Sequence, residues 1–162
     1  MTHFVMDTAI NTTLGFEGGY VNNPNDTGGE TNFGICKKAY PELDIKNLTI
    51  EQARNIYRRD YWDKLKCDFI PDALSIAVFD FAVNSGIKRA IRYLQKALGV
   101  TIDGIIGNQT IGACNRIPTR EVLEKFIQYR LEFLMSLKTW KYFGKGWGKR
   151  VKFVKETCER YL

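Results

Sequence analysis

The segment that decides the fold, residues 17–31, reads EGGYVNNPNDTGGET. It comes directly after a stretch with helical periodicity. It contains two carboxylic acids, Glu17 and Asp26. Glycine, asparagine, aspartate and threonine dominate the segment, and they favour turns and a small hairpin. Because the chain reverses after Glu17, we expect the hairpin to swing Asp26 and Thr31 back towards it.

Two acids on a reversing segment suit the hydrolysis of a glycosidic bond. One carboxyl group protonates the leaving oxygen, and the other directs water or stabilises positive charge on the sugar. A partly buried Glu17 would keep the proton that a general acid donates, while Asp26 and Thr31 could orient the water. The alternatives are a solvated helix-end glutamate, a turn aspartate and an ordinary loop hydroxyl.

Helical periodicity dominates the rest of the chain and strand-like alternation is scarce, which predicts a mainly α-helical fold. Thr49 and Gln52 match a capping box at a helix start, and Gly86 and Gly99 are expected to end two helices. The predicted helices span about 4–16, 50–61, 71–85, 87–98 and 108–115, followed by a long helix capped by Thr119 and a last helix around Val154.

Three glycines near the end of the chain, Gly144, Gly146 and Gly148, predict a loop around Trp147. The composition does not shift sharply anywhere, and a weak division falls near residue 87. We therefore expect a region bearing the two acids at 1–87 and a second helical region at 88–162, packed together as one globule.

Length and charge narrow the function classes. The chain has 162 residues, of which 44% are hydrophobic, so it can form one domain with a real core. Its 24 Lys and Arg against 18 Asp and Glu give a formal charge of +6, which favours polyanionic partners. No tight basic run with interleaved aromatics stands out, so nucleic-acid binding rests on charge alone and is not expected.

The cysteines and the single histidine argue against a metal or a disulfide scaffold. The four cysteines form no C-x-x-C pair and are expected to be mostly reduced and buried, although their even number leaves disulfides open. With His3 as the only histidine, we expect no zinc site, and glycosidic hydrolysis needs no metal or cofactor.

The start of the chain lacks a basic region followed by an apolar run, so we expect no signal peptide. The most apolar stretch, residues 73–83, is too short to span a bilayer. We expect a soluble monomer, made in the cytoplasm and without stable membrane insertion.

Polar and aromatic side chains downstream are candidates for substrate contacts. Asp80 and Asn84 are four residues apart in an apolar helix and therefore share one face. Internal hydrogen bonding would explain both, but Asn84 could instead reach a substrate groove. Tyr57 and Tyr61 are either amphipathic core edges or rings that stack on sugars. Our predicted substrate contacts are Tyr57, Tyr61 and Asn84.

The segment 17–35 resembles the signature of glycoside hydrolase family 108, in which Glu17 matches the glutamate of a Glu-Gly-Gly-Tyr motif. These enzymes are peptidoglycan N-acetylmuramidases, found as phage endolysins and in prophage or bacterial lysis cassettes. Further matching blocks follow in the expected order at 57–63, 79–86 and 94–110. Gly146, Trp147 and Arg150 resemble the closing motif of the family. The block at 94–110 is similar to the family's predicted peptidoglycan-binding C-terminal region.

The resemblance implies a lysozyme-like fold and cleavage of the β-1,4 bond between N-acetylmuramic acid and N-acetylglucosamine. It makes Glu17 the catalytic acid. The order Glu17, Asp26, Thr31 also resembles the triad of phage lysozymes, although Thr31 comes one residue earlier than in those enzymes. We expect the reaction to invert the anomeric carbon. Without a signal peptide, the protein would reach the wall through a pore, by lysis or by another export route. The alternative is a non-catalytic wall-binding or secretion-regulating protein with the same fold.

Overall fold

The computed structural model describes residues 2–162, with side chains from residue 4 onward, so the side chain of His3 lies outside it. The helices are α1 (Thr2–Glu17), α2 (Ile50–Tyr57), α3 (Asp72–Ser85), α4 (Ile87–Leu98), α5 (Asn108–Arg116), α6 (Thr119–Ser136) and α7 (Trp140–Glu159). The strands β1 (Thr31–Asn32) and β2 (Ile35–Cys36) form an antiparallel hairpin. A π-helical turn (Arg58–Trp62) continues α2, and a 3₁₀ turn (Cys67–Phe69) precedes α3. The predicted mainly α-helical, lysozyme-like fold with a small hairpin after the first helix is confirmed.

Helix α3 is the centre of the core. Every residue from Ala73 to Ala82 is buried, and the helix packs against α1, α4, α6 and α7. A helix that is apolar on all sides must be surrounded by protein, so the elements before and after residue 87 share a core through α3. The buried run contains one charged residue, Asp80, which therefore requires partners from the surrounding helices.

Local signals set several helix ends as predicted. The capping box at α2 is present, since the Gln52 N–H donates to Thr49 Oγ1 at 3.1 Å and the Thr49 N–H donates to Gln52 Oε1 at 2.9 Å. Gly99 ends α4 in the left-handed conformation, with φ of 72°. The predicted cap at Thr119 is wrong: α6 begins at Thr119 itself, after Pro118, and no side chain caps its first turn. A residue already inside the helix is poorly placed to bond the free N–H groups that follow it.

The predicted loop at Gly144, Gly146 and Gly148 is also wrong, because all three glycines lie inside α7. A Cβ at Gly144 would lie 2.5 Å from the Trp140 ring, so the missing side chain lets Trp140 pack over the helix. The Trp140 and Trp147 rings lie 6.2 Å apart. We attribute the helix to such packing, which offsets the cost of about 1 kcal/mol per helical glycine.

The four cysteines are free; Cys36 is half-buried, while Cys67, Cys114 and Cys158 are buried. Burial raises the pKa of the Cys114 and Cys158 thiols to about 12, so both stay protonated.

Across residues 2–162, no helix combines the length and the apolar character that crossing a membrane demands.

Candidate active site

Glu17 is held between the end of α1 and the hairpin turn. It is the last residue of α1 and is half-buried. A Cβ at Gly34, in the turn between β1 and β2, would lie 2.8 Å from Glu17 Oε2 and 2.7 Å from Tyr57 Oη. Gly34 also has φ of 78°, so both space and conformation require glycine here. The Tyr57 hydroxyl donates to the Phe33 carbonyl at 2.6 Å, which anchors the turn beside Glu17.

Arg150 of α7 is the ion-pair partner of Glu17. Its Nη1 lies 3.0 Å from Glu17 Oε1, while its Nε and Nη2 donate to the two oxygens of Asp80 at 3.1 and 3.0 Å. Burial opposes the charge on Arg150, but Asp80 and Glu17 beside it raise its pKa. Arg150 is therefore a permanent cation that ties Glu17 to the core.

Asp80 is the centre of this buried charge network. Thr13 Oγ1 donates to it at 2.8 Å, and Arg130 Nη1 lies 2.8 Å from its Oδ2. The Arg130 contact is an ion pair by distance; neither Nε nor Nη1 of Arg130 has a well-aligned hydrogen bond within residues 2–162. Burial alone would raise the pKa of Asp80, but Arg130 and Arg150 lower it. Asp80 therefore forms internal bonds, as one of the interpretations of the sequence predicted.

Asn84 lies one helical turn beyond Asp80 and is half-buried. Its Oδ1 accepts from Arg130 Nη2 at 3.3 Å and from Ser85 Oγ at 3.2 Å. Its Nδ2 takes no part in the hydrogen bonds of the described side chains. The network therefore reaches from Glu17 through two arginines to Asn84, one of the predicted substrate contacts.

The two tyrosines differ in what they offer to a ligand. Tyr57 is 1% exposed, so it has no ring face for a sugar and instead supports the turn beside Glu17. Tyr61 is half-buried and lines a cavity of about 310 Å³ together with Tyr40 and Asp60. Burial, reinforced by the charge of Glu17, raises the pKa of both Tyr57 and Tyr61, so both hydroxyls stay neutral.

Asp26 is exposed and bonds within its own loop. Its Oδ1 accepts from the Gly28 N–H at 2.8 Å, and its carbonyl accepts from the Gly29 N–H at 3.2 Å. This is the turn geometry favoured by aspartate. Among the described residues, no hydrogen bond or ion pair links Asp26 to Glu17.

Thr31 lies in β1 and is half-buried. Its backbone exchanges two hydrogen bonds with Val21, both at 2.8 Å, and it pairs with Cys36 across the hairpin. The chain therefore does turn back after α1, as expected. Gly34, at the tip of the turn, lies beside Glu17.

Sequence reasoning overlooked Arg130 and used Arg150 only as part of a closing motif. A usable signal existed, because Arg130 falls four residues from both Phe126 and Leu134 on the buried face of α6. A buried cation needs an anionic partner. The local sequence of α6 could not identify that partner, since Asp80 belongs to α3.

The arrangement provides a half-buried carboxyl group at the protein surface, steadied by a buried cation. Such a group suits proton transfer to an oxygen of a bound substrate. Within residues 2–162 there is no cluster of three or more His, Cys, Asp or Glu side chains that could hold a metal ion.

Two sequence-family models and a solved structure match this chain. The sequence model described as Glycosyl hydrolase 108 matches residues 10–86, and the one described as Predicted Peptidoglycan domain matches residues 89–152. Among solved structures, the structure of Brucella abortus SagA has a TM-score of 0.86 and 36% sequence identity, covering 96% of this chain and 94% of that chain. No curated protein matches. Glu17 and Asp80 lie in the first matched region and Arg150 in the second, so both contribute to the site.

Proposed function

This chain belongs to the glycosyl hydrolase 108 family, and from that premise we propose that it cleaves the β-1,4 bond between N-acetylmuramic acid and N-acetylglucosamine. The family indicates a glycoside hydrolase acting on peptidoglycan; the bond is our proposal. The observation that supports it most directly is the placement of Glu17, half-buried against Gly34 and paired with Arg150 at 3.0 Å.

In the proposed reaction, Glu17 donates a proton to the leaving glycosidic oxygen. Arg150 Nη1 pairs with Glu17 Oε1 at 3.0 Å, so the proposal includes a loosening of this pair when substrate binds, which leaves Glu17 free to carry and donate the proton. Arg150 can release Glu17 and keep its position, because its Nε and Nη2 remain bonded to Asp80.

Asp26, with Thr31, is proposed to direct the attacking water or to stabilise charge on the sugar. Asp26 lies in an exposed loop, so the proposal includes a movement of that loop towards Glu17 when substrate binds. We propose inversion at the anomeric carbon. In a substrate complex, a separation of about 6.5–9.5 Å between the two carboxyl groups would agree with inversion, and about 5–5.5 Å would indicate retention.

Tyr61 and Asn84 are proposed sugar contacts, since both are half-buried beside the site. The formal charge of +6 would assist capture of an anionic wall. We propose a monomer that serves host lysis, as a phage or prophage endolysin does, or wall remodelling. It would act after release through a pore, by lysis or by another export route.

The test is turbidity loss of purified peptidoglycan with the native protein and with Glu17→Gln. The glutamine keeps size and hydrogen bonding but cannot donate the catalytic proton, so we expect a rate about 10²–10⁴-fold lower. Glu42→Gln, at an exposed loop glutamate, is the matched control and should keep full activity. The sugar at the new reducing end identifies the bond: muramic acid indicates a muramidase and glucosamine a glucosaminidase.

Two results would count against the proposal. Equal activity in the native protein and Glu17→Gln would remove Glu17 as the acid. Wall binding without turbidity loss in either protein would favour the alternative, a non-catalytic wall-binding or secretion-regulating protein with this fold.

A further inference from the structure

We propose that a basic groove along α4 binds the carboxylates of the peptide stems of peptidoglycan. The "α4 groove" is the surface depression lined by Tyr61, Ile87, Lys88, Arg89, Arg92 and Lys96. This inference rests on the proposed function, because it takes the polymer held at Glu17 to be peptidoglycan. It adds a second binding site, for the peptides that the glycan carries.

The groove is made of three cavities, of which neighbouring ones share lining residues. The first, of about 310 Å³, extends from Tyr61 to Ile87. Ile87 also lines the second, of about 480 Å³, which shares Arg92 and Tyr93 with the third, of about 190 Å³, next to Lys96. At 1.5 Å per helical residue, the depression follows α4 for about 14 Å between Ile87 and Lys96.

One end of the groove adjoins the candidate active site. The Tyr61 ring lies 5.6 Å from that of Tyr57, whose hydroxyl meets the turn that contacts Glu17. Ser85, next to Asn84 in the sequence, lines the second cavity. In the proposed arrangement, a polymer bound at Glu17 continues into the α4 groove.

The groove is positive and lacks internal compensation. The second cavity is lined by Lys88, Arg89 and Arg92 and by no carboxylate, and no ion pair within residues 2–162 involves these three cations. Asp60 lines the first cavity, but Arg59 pairs with it at 2.8 Å. Uncompensated like charges repel one another, and an anionic ligand removes that repulsion.

The cations are exposed, but their side chains lie beside neighbouring groups. A Cβ at Gly104, which has φ of 75°, would lie 3.1 Å from Lys88 Cγ and 3.3 Å from Arg92 Nε. The Arg89 guanidinium lies 4.5 Å from the centre of the Phe133 ring. Side chains that have neighbours on one side lose less conformational entropy when a ligand binds than side chains surrounded by solvent.

The ligand must be anionic and must accompany the glycan. Peptide stems hang from the muramic acid residues and carry free carboxylates, so a strand lying across Glu17 presents them alongside the sugars. Neutral sugar hydroxyls need no cluster of cations. Phosphate-containing wall polymers also have the right charge, and the experiment below distinguishes them from the peptide stems, to which we assign the groove.

The experiment measures co-sedimentation with purified, phosphate-free peptidoglycan, and with the same glycan after an amidase has removed its stems. All proteins carry Glu17→Gln, so that no ligand is degraded. Adding Lys88→Gln and Arg92→Gln should weaken binding to intact peptidoglycan about 3- to 10-fold, as for the loss of two exposed ion pairs, and leave binding to stripped glycan unchanged. The matched control, Arg120→Gln with Lys155→Gln, removes the same charge from a separate cavity and should bind both like the parent.

Three results would overturn the inference: an equal loss in the control pair, an equal loss on stripped glycan, or binding that appears only when phosphate-containing polymers are present. Circular dichroism and the thermal midpoint establish that each variant is folded. Failure of the proposed function is a separate outcome, because it appears as absent or Glu17-independent turbidity loss, whereas co-sedimentation reports on the groove alone.

Discussion

The two carboxylates of the opening segment are held in opposite ways. Glu17 is half-buried and pairs with Arg150 of α7, and it lies beside Gly34 in the hairpin turn that the Tyr57 hydroxyl anchors. Asp26 is exposed and bonds within its own loop. A proton donor acts from a fixed position, whereas a group that directs water can be delivered when a loop closes. The contrast is that Glu17 is tied to the core through Arg150, whereas Asp26 is tied only to its own loop.

The largest effect on stability should come from removing the buried charge that anchors Glu17. Asp80→Ala leaves Arg130 and Arg150 buried without their carboxylate, and we expect the free energy of unfolding to fall by about 3–5 kcal/mol. Urea unfolding measures the loss. Asp63→Ala, at an exposed aspartate, is the control and should change the free energy by less than about 0.5 kcal/mol.

The same anchor predicts a dependence of stability on pH. The arginines lower the pKa of Asp80 in the folded protein, so its contribution to stability is present above the unfolded value of about 4 and is lost as the pH falls. Native protein should therefore lose more stability than Asp80→Ala as the pH falls below about 4. Parallel losses in the two proteins would contradict ionised Asp80 as the anchor.

A smaller effect is expected from Arg150→Gln, which removes the link between Asp80 and Glu17. The lost charged hydrogen bonds should cost about 1.5–3 kcal/mol of unfolding free energy. Because Glu17 loses the partner that holds it in place, kcat should fall by about 10- to 100-fold. Lys149→Gln, at an exposed residue of α7, should keep native activity, and Arg150→Lys should restore activity in part. Unchanged activity in Arg150→Gln would show that Arg150 does not position Glu17.

Gly34→Ala should displace Glu17 without changing any charge, so it tests the importance of the position of Glu17. The positive φ and the close contacts predict a loss of about 1–2 kcal/mol in stability. Displacing Glu17 by about 1 Å could lower the rate by about 100-fold. Gly146→Ala is the matched control, because Gly146 lies in α7 with open space around it, so alanine there should stabilise the protein by up to about 1 kcal/mol. Unchanged activity in Gly34→Ala would mean that the turn does not position Glu17.

Asp26→Ala should have the smallest effect on stability, about 0.5 kcal/mol, because it removes one exposed hydrogen bond. If Asp26 directs the water, the rate should still fall by about 10²-fold or more. Asp26→Asn keeps an oxygen for the Gly28 N–H but removes the charge, so an equally slow asparagine variant would assign the loss to chemistry rather than loop shape. Asp44→Ala, at another exposed loop aspartate, should retain activity; an active Asp26→Ala would exclude Asp26 from the reaction.

Local chemistry accounts for the features predicted from the sequence. The capping box of Thr49 and Gln52, the end of α4 at Gly99 and the hairpin after α1 all depend on residues within a few positions of one another. The sequence did not predict that Gly144 lies inside a helix, because this helix does not depend on local preferences. Its stability depends on the Trp140 ring packing over the glycine, a contact that outweighs the intrinsic preference of the segment.

The sequence by itself determined the mainly α-helical class, the reversing segment after α1 and the identity of the two acids, because these follow from periodicity, turn residues and a motif contained in one segment. Only the tertiary structure decided how each acid is supported. Arg150 reaches Glu17 because α7 packs on α3 around the charge of Asp80, and that pairing joins elements far apart in the chain. A buried charge selects its partner through the packing of the whole core, which no local pattern encodes.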